Sequence, residues 1–164
     1  MKATFLRSLP LALLFLLGAC STEETSESPV DARLIENYNY DEAELQLADL
    51  INEYRVSNGL NPLEIIAHAS YKSEEHNEYM IANDVVNHDY FNDRARNIKQ
   101  VLGAVRVNEN IAYNYMSPAG ALHAWLNSPA HKATIDGDFT HFGISISIDP
   151  ETGHRYYTNI FLKK

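Results

Sequence analysis

The stretch FGISISIDPETGHRYYTNIFL, residues 142–162, decides the fold class. Phe142, Ile144, Ile146 and Ile148 alternate with Gly143, Ser145 and Ser147, the period of two expected of a half-buried strand. Asp149-Pro150-Glu151-Thr152-Gly153 supplies turn chemistry, and Arg155 to Leu162 is rich in Tyr, Thr, Ile and Phe. The two runs therefore read as an antiparallel hairpin. Val107 to Tyr113 is a further strand candidate. Upstream the period changes to that of helices. Asp41 suits an N-cap with Glu44 at N3, and Leu47, Leu50, Ile51 and Tyr54 recur at i, i+3, i+4, i+7. Asn58-Gly59 stops that helix, followed by Pro62. A second helix is expected from Leu63 to about Asn83, with Ile66, Ala69, Ser73, His76 and Met80 on one stripe. A third fits Asp93 to Leu102, ended by Gly103. Pro118 after Ser117 opens a fourth, which carries Ala121, Leu122 and Trp125. Helices packed on a small antiparallel sheet make the chain α+β.

The N-terminus reads as an export signal. Lys2 and Arg7 precede an apolar run from Leu9 to Leu17, broken only by Pro10, and Leu17-Gly18-Ala19 leads to Cys20. The run is shorter than the roughly 20 residues that span a bilayer, so it is a cleavable signal rather than a membrane helix. LGAC resembles a bacterial lipobox, and Cys20 is the single cysteine of the chain. A secreted domain with one Cys holds no internal disulfide, and lipid on Cys20 explains why the residue stands there. Residues 1–19 are then the lipoprotein signal peptide. Residues 20–40, polar and acidic with Glu23, Glu24, Glu27, Asp31 and Glu36, are a flexible tether. Residues 41–164 form one domain. Localisation follows: exported, lipid-anchored to a bacterial cell envelope through Cys20, with the acidic residues just after it pointing to the outer-membrane surface.

Charge excludes one class of partner. The full chain carries a net charge of -9, and without Lys2 and Arg7 the balance becomes -11. No basic face is available to neutralise phosphates, so nucleic acid is not a partner. Serine and cysteine nucleophile chemistry is also unsupported, because there is no G-x-S-x-G elbow and Cys20 lies outside the domain. A phosphate-cradling loop is absent from a chain with only 7 glycines.

The candidate chemistry lies in three separated segments. His88 stands in VVNHDYF, Glu109 in VNENIAYNY and His131 in WLNSPAHKATI. Two imidazoles and a carboxylate can hold a divalent metal or do acid/base work if the fold gathers them. Each has a plainer reading. His88 can bond a backbone carbonyl near the end of the second helix. Glu109 can accept loop N–H groups, since a carboxylate in an apolar strand must be bonded. His131 can be a surface residue of a first helical turn. His76 reads as a satisfied core residue beneath the cleft, while His68, His123 and His154 have no partner at metal-ligand spacing.

The ordered motifs LINEYRVSNGLNPL (50–63), VVNHDYFNDR (85–94), VNENIAYNY (107–115), WLNSPAHKATI (125–135), DFTHFGISIS (138–147) and YYTNIF (156–161) resemble the CAP superfamily. These are the SCP-like extracellular domains related to cysteine-rich secretory proteins, and the likeness is to the short, disulfide-free bacterial branch. The resemblance implies an α-β-α sandwich with a small antiparallel sheet flanked by helices. It also implies a cleft where two His and two Glu gather and sometimes hold zinc. His88 matches the first family His, Glu109 the Glu of the GENIA motif and His131 the His of the SPGHR segment. Ser128 stands where the eukaryotic pattern has the fourth member, a Glu. Asn108 replaces the Gly of GENIA, and His141 stands in FTHFG where bacterial relatives usually show Glu, making it a candidate auxiliary metal ligand. The expected cofactor is at most a weakly held zinc on His88 and His131. The favoured function is a non-enzymatic envelope module that binds a peptide, lipid or glycan. The alternative is a zinc-dependent hydrolase, a peptidase or esterase, with Glu109 as base.

Overall fold

The structure, a computed structural model, describes residues 32–164. The signal peptide, Cys20 and the first part of the tether lie outside the described residues. Helix α1 (Glu42–Ser57) begins as the sequence indicates: the Asp41 side chain accepts from Glu44 N–H, and the Glu44 carboxylate accepts from Asp41 N–H. Two orphan amides of the first turn are thereby satisfied reciprocally. Leu47 and Ile51 are fully buried beneath it. Asn52 bonds both backbone groups of Leu63, and the buried Arg55 guanidinium donates to the carbonyls of Asn61, Ile135 and Gly137. The polar residues of the 50–63 motif thus lock the chain that follows α1 in place.

That chain corrects one boundary. Glu64–Ile65 is a short strand, β1, and the second helix, α2, is Ala67–Asn83. Helix α3 (Phe91–Leu102) stops at Gly103, whose φ of 70° lets it close the last turn. Strand β2 (Arg106–Tyr113) leads to α4 (Pro118–Asn127) and α5 (Pro129–Ile135), and the hairpin forms β3 (His141–Ile148) and β4 (Arg155–Lys163). The sheet order is β1-β3-β4-β2. All pairings are antiparallel except β1 with β3, so the sheet is mixed rather than the expected antiparallel one.

Both faces of the sheet are covered, which gives three layers. Phe142, Ile144, Tyr157, Phe161 and Ala112 pack with α1, α4 and α5. On the opposite face Val107, Ile160 and Leu162 meet Ala69, Ala95 and Ile98 from α2 and α3. The first half of β3 is accordingly buried on both sides rather than half-buried. Its Gly/Ser face lets α2 approach: a Cβ at Gly143 would lie 2.2 Å from backbone atoms of Ala69 and Ser70. Ser70 Oγ accepts from Ile144 N–H and Asn77 donates to the Ser145 carbonyl.

The tether boundary also shifts. Residues 32–40 have no regular secondary structure, yet they lie on the domain. Ile35 N–H donates to His68 Nδ1, Tyr38 Oη donates to Glu44 and also bonds Ser145 Oγ, and Tyr40 Oη bonds Ser70. Glu44 Oε1 also accepts from Ile146 N–H on the outer edge of β3. Burial raises the pKa of Glu44 despite the hydrogen bonds from Ile146, Asp41 and Tyr38 that favour its ionised form.

Gly143→Ala is expected to push α2 off the sheet, because the obstacle is backbone, and to lower stability by about 2–3 kcal/mol or more. A urea-unfolding midpoint equal to that of the parent would contradict this packing.

Candidate functional site

Strand β2 turns Glu109 toward α2 and α3, where the side chain is 1% exposed. Arg94 on α3 grips its carboxylate with two hydrogen bonds, Nε to Oε2 at 2.8 Å and a terminal nitrogen to Oε1 at 2.7 Å. His88 Nδ1 stands 2.9 Å from Oε1, and His76 Nε2 lies 3.9 Å from the same oxygen. Burial alone would raise the pKa of Glu109. The hydrogen bonds from His88 and Arg94, with the guanidinium charge, outweigh it and hold the carboxyl below its ordinary value.

The segment between α2 and α3 is fixed from several sides. His76 Nε2 bonds the Asn87 carbonyl, Arg94 donates to the Asp89 carbonyl, and Tyr79 Oη donates to the Asp89 carboxylate. Tyr90 takes a left-handed φ of 58° at the entry of α3. His88 Nδ1–H donates to the ionised carboxylate, and the side chain is 48% exposed. In His76 the bond to a carbonyl places the proton on Nε2, and Nδ1 is buried without a partner among the described residues. His76 is therefore not the satisfied core residue expected from its helical stripe.

His131 reaches the site from the other side. It sits in the short α5, whose start is set by Pro129, and its backbone carbonyl accepts from Asn110 of β2 at 3.0 Å. His88 and His131 both line an open cleft of about 530 Å³, with Val86, Asn87, Ile111, Tyr113, Tyr115, Trp125 and Ser128 among its other walls. Burial first, and the neighbouring His88 second, lower the pKa of His131, so its ring is neutral at pH 7. Burial also lowers that of His76, although Glu109 pulls the other way.

The structure therefore brings His88 and Glu109 into contact and sets His131 in the same cleft as His88. Glu109 itself is not a lining residue. It lies beneath the cleft with both oxygens engaged, and it is poorly placed as a base toward a cleft water. His141 is elsewhere: it opens β3, bonds Thr140 Oγ1 and lies 3.5 Å from Glu64, with β4 between its strand and that of Glu109. It is not an auxiliary ligand of the cleft. Among the described residues no group of three or more His, Cys, Asp or Glu side chains is arranged to hold a metal ion. The donor set at the cleft, two imidazoles with Ser128 and a carboxylate claimed by Arg94, falls short of a resident zinc site. Arg94 escaped the sequence reading. Its signal was there, since a guanidinium beside Ala95 and Ile98 on the buried face of α3 requires an anion.

Comparison with known proteins gives concordant results. The pattern of the cysteine-rich secretory protein family, CAP, matches residues 48–161. The membrane protein YlbC of Bacillus subtilis is 33% identical over 126 residues, covering 74% of this chain and 35% of the relative. The chain thus spans about a third of that relative's length. An extracellular SCP-domain protein of Bacillus anthracis superposes with a TM-score of 0.66 at 26% identity, over 74% of this chain and 40% of the other. An outer surface protein of Borrelia burgdorferi gives a TM-score of 0.68 at 21% identity, over 79% of this chain and 99% of that one, which is a likeness of fold.

Acidification is expected to weaken the fold in two stages. Below the ordinary imidazole value of about 6.5 the unfolded chain takes up protons that His76 and His131 refuse in the fold. Below the ordinary carboxylate value of about 4.3, the stability held by Glu109 is lost as pH falls through its lowered folded pKa. Arg94→Met strands a buried carboxylate, and should cost about 3–5 kcal/mol at pH 7 and move the second stage to higher pH. Urea midpoints measured against pH check both; an acid limb unmoved in Arg94→Met would show that the pair does not hold Glu109 ionised.

Proposed function

The chain belongs to the cysteine-rich secretory protein (CAP) family, and we propose that it acts as a non-enzymatic binding module of the bacterial cell envelope. In this reading it is exported and tethered by lipid on Cys20, and the cleft between His88 and His131 receives the ligand. One observation carries the choice of binding over catalysis. The carboxylate that contacts His88 is held by a bidentate arginine and withdrawn from the cleft surface, leaving two imidazoles among mostly apolar walls with Asn87 and Ser128. Such a lining, apolar with a few fixed polar groups, suits holding a ligand. The zinc hydrolase alternative requires Glu109 as a base facing the cleft and a donor set that retains the metal. Neither has support in the geometry.

The envelope location is supported by the signal-like first nineteen residues and by the lipobox-like LGAC. It also agrees with relatives described as a membrane protein, an extracellular protein and an outer surface protein. The Borrelia burgdorferi protein makes an outer-surface location the natural extension.

After exposure to zinc and dialysis, the purified protein is expected to retain well under one equivalent and to turn over no peptide or ester substrate. His88→Ala and His131→Ala should stay folded yet lose roughly tenfold or more in affinity for whichever class in a panel of blocked peptides, a fatty acid and a chitooligosaccharide binds the parent. One equivalent of zinc lost in both variants, together with turnover, would establish the hydrolase instead. In cells, Cys20→Ala or globomycin should leave unprocessed precursor; normal maturation in both would remove the lipid anchor from the proposal.

A further inference from the structure

The two edges of the sheet are treated differently. On the outer edge of β3, β1 pairs with the first residues, Ser70 Oγ accepts from Ile144 N–H and Glu44 Oε1 from Ile146 N–H. Side chains thus occupy edge donors that would otherwise recruit another strand. Strand β2 is the other edge. The direction of its backbone groups follows from two bonds. Asn114 N–H donates to the Arg155 carbonyl at 2.7 Å, in register with the ladder of Tyr113 opposite Tyr156. Hydrogen-bonded and non-bonded pairs alternate along an antiparallel ladder, so Ala112 and Asn110 face β4 while Ile111 and Tyr113 turn their N–H and C=O groups outward. Trp125 confirms the direction, since its indole N–H donates to the outward Ile111 carbonyl at 2.7 Å.

Of the outward groups of Ile111 and Tyr113, three remain: the N–H of Ile111 and the N–H and C=O of Tyr113. They meet no hydrogen-bond partner among the described residues, and they belong to the stretch of β2 that lines the cleft. We infer that the cleft binds an extended polypeptide, which adds a strand to the free edge of β2 through these three groups. This rests on the cleft being the binding site, as proposed above, and supplies its ligand class. A strand in this position is periodic on both sides. Alternate side chains meet the wall of Val86 and His88, and those between them meet Tyr115, Trp125, Ser128 and His131. Neither wall presents an uncompensated charge, because Glu109 is paired with Arg94. The preferred peptide is therefore apolar at alternate positions. A lipid tail or a glycan has no run of alternating amide donors and acceptors to match the edge.

The test uses the full chain in detergent and a library of N-acetylated, C-amidated heptapeptides with apolar residues at alternate positions. A bound peptide is expected to protect the Ile111 and Tyr113 amides from hydrogen exchange. N-methylation along the peptide should weaken binding about tenfold at every second residue and little between, because each edge bond is lost only where the amide faces β2. On the protein side, Tyr113→Pro deletes one outward N–H without touching the ladder to β4, as edge strands tolerate. It should bind at least tenfold more weakly than Tyr113→Ala, which lacks the same side chain but keeps the N–H. Equal affinity of those two variants, or an N-methyl series without the period of two, would overturn strand addition while leaving the cleft as a site. So would a fatty acid or chitooligosaccharide that shifts the His88 and His131 resonances when no peptide does. Silence of both imidazoles toward all three probe classes would overturn the cleft reading as well.

Discussion

A carboxylate buried inside a protein must be compensated by a counter-charge or by hydrogen bonds, and that constraint organises one side of this domain. Glu109 projects from the sheet into the layer formed by α2 and α3 and is held there by the forked guanidinium of Arg94. The pair fixes α3 to β2 at a defined register, because a bidentate contact tolerates little rotation. Arg94 also reaches the Asp89 carbonyl, so the same side chain sets the path of the segment that carries His88. His88 then takes its orientation from the same carboxylate. The chain of dependence runs from a buried charge to a helix, from the helix to a loop, and from the loop to the direction in which one imidazole nitrogen faces. The contact between His88 and Glu109 is, in these terms, a brace.

Glu44 answers the same constraint without a cation. Its carboxylate is satisfied by Asp41 N–H, Ile146 N–H and Tyr38 Oη, all neutral donors. Burial dominates there and raises its pKa, whereas Arg94 reverses the sign at Glu109. The first carboxylate closes a sheet edge; the second supports a cleft floor.

Much of the fold was legible because its signals are local. Asp41 and Glu44 announce a capping box, Ser117-Pro118 a helix start, and residues 142–162 a hairpin. What escaped was set by distant contacts. Glu64–Ile65 is too short to show any period and becomes a strand only because β3 accepts it. Residues 32–40 have the composition of a linker, and the bonds of Ile35, Tyr38 and Tyr40 to His68, Ser145 and Ser70 reveal that it docks. At the site, the order of motifs indicated His88, Glu109 and His131, but no spacing could tell that Arg94 claims the carboxylate. Nor could it tell that His141, two strands away, belongs to another part of the surface.

The docked segment gives the domain a near side and a far side. Residues 32–40 cross the outer edge of β3, and the cleft opens at β2, two inter-strand steps away or roughly 10 Å across the sheet. Anything joined to the chain ahead of this segment, whether a bilayer, a bead or a fluorophore, therefore meets the domain at the edge opposite the cleft. The domain can be immobilised through its N-terminus and still present its open face to the surrounding solution.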